Sequence, residues 1–151
     1  MEQPEQAWHE AGHAVVATLL GGEVVCATLE SELDGHEGHV EVHWPMAGGE
    51  LAWAQLRVAL AGPLAELDYR GQDLDQPDEV LSAWRGDWEE AEALLGQLEP
   101  VEERREALLL RALAELRGLI EDPAVTERIA RVAETLDAHG TLDAELLAGC
   151  L

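Results

Sequence analysis

The stretch AWHEAGHAVVATLLGG, residues 7–22, decides how the rest of the chain is read. Trp8, Val15, Val16, Leu19 and Leu20 recur at helical spacing, and the Gly21-Gly22 pair supplies a stop. A first helix is therefore predicted from about Gln3 to Leu20. It carries His9, Glu10 and His13 as an HExxH motif. At 3.6 residues per turn, positions four apart lie only about 40° from each other around the axis, so both imidazoles can address one ion. Zinc held by two neutral imidazoles and a third protein ligand keeps a position for water, whose pKa it lowers while polarising a substrate carbonyl. Glu10, about 100° around from His9, is placed to take that water's proton and deliver it to the leaving amine. Ala11 and Gly12 fill the free positions with small residues, which lets another element approach closely.

The competing reading is a helix whose histidines touch only water or core neighbours. An otherwise apolar helix is a buried one, however, and burying two histidines and a glutamate without partners is costly. The third ligand is open at this level. His36, His39, His43, Glu66, Asp68 and Asp87 are all candidates, and no further histidine closely follows the motif. His39 and His43 share strand parity and so one face, for which, as for His36, a solvent-facing strand edge is the favoured reading over a ligand role. Asp87 follows Gly86 at a predicted helix start, where an aspartate is ordinarily a cap.

Beyond Gly22, two β-branched stretches near 23–30 and 38–44 flank the turn-rich DGHEG, which is a hairpin signal. PMAGG at 45–49 reads as a loop, and every long segment after it reads as helix. ELAWAQLRVALAGPLAELDYRG (50–71) has a kink expected at Gly62-Pro63 and a stop at Gly71. QDLDQPDEVLSAWRG (72–86) is a polar connector with one short helix starting at Pro77. Helices follow over DWEEAEALLGQL (87–98), VEERREALLLRALAELRGLIED (101–122) and AVTERIARVAETLDAHG (124–140), with a short capped one in TLDAELLAGCL (141–151). The expected fold is a single domain, mainly α with a small β-hairpin or sheet in the N-terminal third.

Composition narrows the function classes. The 151 residues hold 32 acids against 9 bases, a net charge of −23, with 47% hydrophobic residues. Such a surface repels phosphate backbones and anionic membranes, so neither nucleic acid nor membrane is an expected partner. No apolar run is long enough to span a bilayer, and the acidic start is unlike a signal peptide, so a cytoplasmic protein is expected. All nine bases are arginine, a bias that points weakly to a GC-rich bacterial genome. Cys26 and Cys150 match neither a disulfide framework nor a paired-cysteine metal site.

HEAGHAVVATLL (9–20) resembles the catalytic helix of the FtsH family, the membrane-anchored ATP-dependent zinc proteases. VALAGPLAEL (58–67), SAWRGDWEEAEAL (82–94) and IARVAETLDAHGTLDAELLAGCL (129–151) resemble later segments of that peptidase domain, in the same order over nearly the whole chain. The resemblance implies a zincin-like peptidase fold with His9 and His13 as zinc ligands, Glu10 as base and Asp87 as third ligand. It implies Glu66 as a supporting residue that orients a ligand histidine, and Gly38, His39 and Val40 as an edge where an extended peptide adds as a strand. Pro63, Leu67 and Gly86 depart from the family's Arg, Glu and Asn. The chain has no lysine and hence no P-loop, so neither ATPase module nor membrane segment is expected here.

The function expected from these readings is a zinc metallopeptidase acting on peptides or unfolded proteins without its own ATPase. The alternative is a catalytically inactive interaction or regulatory module on the same fold, and a third reading is zinc storage or sensing. An intact Glu10 disfavours both, because neither role has a chemical use for that carboxylate.

Overall fold

A computed structural model describes residues 4–30, 38–72 and 84–151. His36 and the short helix expected at Pro77 lie outside these residues. Among the described residues there are six helices and a three-stranded antiparallel sheet: α1 (Pro4–Leu19), β1 (Glu23–Thr28), β2 (His39–His43), α2 (Gly48–Tyr69), α3 (Arg85–Leu98), α4 (Glu102–Ile120), α5 (Pro123–His139), β3 (Thr141–Asp143) and α6 (Ala144–Cys150). The mainly helical architecture with a small sheet is as expected from the sequence.

The centre of the molecule is the packing of α1 on α2. Small residues make it close: a Cβ on Gly12 would lie 2.6 Å from that of Ala65 and 3.0 Å from the Ala61 carbonyl oxygen. Two glycine-dependent stops bound the pair. Gly21 (φ 97°) and Gly71 (φ 74°) both adopt the left-handed conformation that L side chains resist. The amides of Gly22 and Gln72 then close back on the carbonyls of Ala17 and Leu67.

α2 has two buried faces. Leu56, Leu60, Leu64 and Leu67 meet Ala91, Leu94 and Leu95 of α3 and Leu109, Leu113, Leu116 and Ile120 of α4. On the other side of α1, Val15, Ala11 and Ala14 join Val24 and Ala27 of β1, Val125, Ile129, Val132 and Leu136 of α5, and Leu142 and Leu147. α1 thus lies between two cores, which accounts for its fully buried alanines and valines. No helix among the described residues is long and apolar enough to cross a membrane.

α2 runs as one helix through Gly62-Pro63, with Pro63 inside it. Two local features differ from the sequence reading. α2 begins at Gly48, within the segment read as a loop. Thr141–Asp143 is a strand, pairing Ala27 with Leu142 and Thr28 with Thr141. Asp143 ends that strand and caps α6, accepting from the Leu146 amide at 2.9 Å. Three residues are too few to show a period, and the cap dominates their local signal. The sheet order is β2-β1-β3, so β2 is an edge strand. A register shift between Val24 and Cys26 marks a bulge in β1. Val40 and Val42 of β2 are half-buried, whereas His39, Glu41 and His43 are exposed.

Candidate metal centre

α1 and α2 approach each other in opposite directions, so contacts ladder along them in steps of one turn. Near its start α1 brings His9 to Glu66, and one turn on it brings His13 to Gly62 and Val58. Gly62 is the seat of the His13 ring: any side chain there would overlap the imidazole. This close approach has a sequence signal in hindsight, the Gly-Pro step inside an otherwise aliphatic helix. α3 supplies the remaining group, Asp87, from its first turn. The cap position belongs to Trp84, whose side chain makes no capping bond, so Asp87 is not the cap its position suggested.

His9 Nε2 lies 2.7 Å from Asp87 Oδ2, and His13 Nε2 lies 3.4 Å from the same oxygen. The second nitrogen of each ring is already engaged. His9 Nδ1 donates to Glu66 Oε1 at 3.1 Å, and His13 Nδ1 donates to the Val58 carbonyl at 2.6 Å. These outer acceptors place the proton of a neutral imidazole on Nδ1 and aim the Nε2 lone pair at Asp87. One ligand atom from each of the three residues lies within 4.8 Å of the others, a spacing that a single shared cation can bridge. His9, His13 and Asp87 can therefore hold a metal ion: two imidazoles and a carboxylate, with outer hydrogen bonds already made.

Electrostatics in the metal-free protein point the same way, with protons standing where a cation would. Burial alone would lower both histidines. The surrounding acceptors together outweigh it: Asp87, Glu66 and Glu10 raise His9, and Asp87, Glu10 and the Val58 carbonyl lift His13 to about 10. Burial likewise would raise Asp87, but the charge and hydrogen bonds of the two rings hold it well below the usual carboxylate range. His9 and His13 are 7% and 8% exposed, so these interactions operate with little screening.

The three residues line an open cleft of about 780 Å³. Glu10, 4% exposed, lines it as well. The opposite wall is formed by β2 and its flanks, with Gly38, His39, Val40, Val42 and Trp44, while Val58 and Ala59 of α2 add an apolar stretch. Gly38 sits at φ 131°; a Cβ there would run into the Thr28 carbonyl and come within 3.1 Å of Glu10 Oε2. Only glycine lets the start of β2 pass this close to the Glu10 carboxylate.

The remaining candidates fall elsewhere. His43 is an exposed strand residue and is not part of the cleft lining. His39 lines the cleft but is not in the ligand triad. Asp68 is absent from the cleft lining, its carboxyl raised by burial and by Glu121. Glu66 contacts His9 from behind instead of facing Asp87. Sequence reasoning missed Arg70 and Trp84, which both line the cleft and both bond Glu66. No protein-family model matches this chain, and no curated protein does.

Proposed function

We propose that the protein is a zinc metallopeptidase with an FtsH-type peptidase fold, hydrolysing peptide bonds in peptides and unfolded proteins. The observation that carries this reading is the convergence of HExxH with Asp87, 78 residues from His9, in one open cleft that Glu10 also lines. His9, His13 and Asp87 would hold the ion, which when bound acts as a Lewis acid on a substrate carbonyl. Glu10 is the base that accepts a proton from the attacking water and hands it to the departing amine. Beside it, β2 has no strand partner on its outer edge among the described residues, and an extended peptide can add there, with Val40, Val42 and the following Trp44 lining the cleft. Such a groove takes extended chain, so this domain unaided would act on segments that are already unfolded.

The test is metal analysis and proteolysis of wild type beside Glu10→Gln. Both proteins should bind about one zinc per chain, since Glu10 is not in the ligand set. Only wild type should cleave a casein-like unfolded substrate, and a chelator should abolish that cleavage. Zinc uptake without cleavage of any member of a broad peptide library would replace this reading with an interaction module.

A further inference from the structure

Glu66 is outside the ligand triad, yet its buried carboxylate is the meeting point of three side chains. Oε1 accepts from His9 Nδ1 at 3.1 Å and from Trp84 Nε1 at 3.3 Å. Oε2 pairs with Arg70, the C-cap residue four positions on at the end of α2. The Arg70 guanidinium also lies 5.6 Å from the Trp84 ring centroid and reaches Glu5 of α1 at 3.1 Å. The Glu5 contact joins two partly exposed groups and adds little. The Glu66 contacts are different, because this carboxylate is only 4% exposed and a buried carboxylate without donors is unstable.

We propose that Arg70 and Trp84 are positioning residues for the metal centre, clamping Glu66 so that it holds His9 with Nε2 turned toward the ion. This rests on the metal-centre reading above. A glutamate carboxylate rotates freely about its last torsion, and a hydrogen bond to His9 alone fixes only one oxygen. Arg70 fixes the other, and its planar fork lies against the Trp84 ring, which donates to the first oxygen. Trp84 also immediately precedes α3, three residues before Asp87. One carboxylate therefore sets a ligand from α1 and holds the segment that delivers the ligand from α3. Arg70 touches neither the ion position nor Asp87; it acts through Glu66.

Zinc affinity by chelator competition and the visible spectrum of the cobalt(II)-loaded protein test this in the full chain. Glu66→Gln should weaken zinc binding, and Arg70→Gln should weaken it about tenfold, within the range that losing an outer partner costs. Trp84→Phe should give a smaller loss, and Arg70→Lys should recover part of the affinity. The deciding measurement is the double variant: in the Glu66→Gln background, Arg70→Gln should cause no further loss. Unchanged affinity and spectrum in Arg70→Gln, or an equal loss in both backgrounds, overturns the proposal while leaving the metal centre intact. A wild type that takes up neither zinc nor cobalt overturns the metal centre and the positioning role together. Should Arg70→Gln fail to fold in chelator, Trp84→Phe and Arg70→Lys carry the same cycle against Glu66→Gln.

Discussion

His13 is the most constrained residue of the centre: glycine lies behind its ring, a carbonyl takes its Nδ1 proton, and Asp87 faces its Nε2. Its folded pKa of about 10 lies above its ordinary 6.5, so its stabilising contribution is full below 6.5 and is lost as pH rises through 10. Asp87 runs the other way: its contribution is present above its ordinary range and lost as acid reaches its depressed value. In chelator, the melting temperature should accordingly fall between pH 6.5 and 10. Zinc affinity should rise over the same window, because the ion must displace those protons. Asp87→Ala removes both effects, flattening the alkaline melting profile and lowering zinc affinity by more than the roughly 10–100-fold cost of an outer partner. Normal zinc occupancy in that variant would dismiss Asp87 as a ligand. His9 and His13 were legible from spacing alone, because a helix makes i and i+4 neighbours whatever the rest of the chain does. Spacing left Asp87 open among several candidates, since joining it to His9 depends on how α3 packs on α2; only the family resemblance of the surrounding segment implied it.

At the scale of elements, the α1–α2 contact tolerates no added carbon, whereas Gly118 stands in open space. Gly12→Ala should destabilise the protein by about 1–3 kcal/mol in urea unfolding, as overpacking does. Gly118→Ala, in α4 with open space around it, should stabilise it by about 0.5–1 kcal/mol. Equal effects from the two would mean that the helices do not meet at Gly12. The small residues between the histidines already signalled such an approach; its partner, Ala61 to Ala65, became identifiable only in three dimensions. The helices were readable because each repeats its apolar face over several turns. β3 was not, because three residues carry no repeat and the Asp143 cap speaks for the helix that follows. Pro63 stands inside a single helix, and leucines at 56, 60, 64 and 67 pack that helix on both sides of the proline.

The whole molecule carries a net charge of −23, and compacting so much like charge opposes folding. Raising salt from about 10 mM to about 150 mM shortens the screening length from about 30 Å to about 8 Å, which relieves that repulsion. The melting temperature of the metal-free protein should therefore climb with sodium chloride over this range, most steeply at the low end. A flat response would mean that the excess acids are spread too widely over the folded surface for their mutual repulsion to weigh on stability. The charge excess was plain from composition. Its arrangement was not: four acids, Glu10, Glu66, Asp87 and Glu90, line the one cleft described here.

The distance along the chain between the ligands has a thermodynamic consequence. An ion shared by His9 and Asp87 acts as a detachable crosslink across 78 residues, a span over which permanent links remove a large share of unfolded-chain entropy. Unlike a disulfide, its strength follows supply, adding about 2.7 kcal/mol at a free concentration one hundred times the dissociation constant. On the metal-centre reading proposed above, starvation for the ion would empty the cleft and loosen its scaffold in a single step.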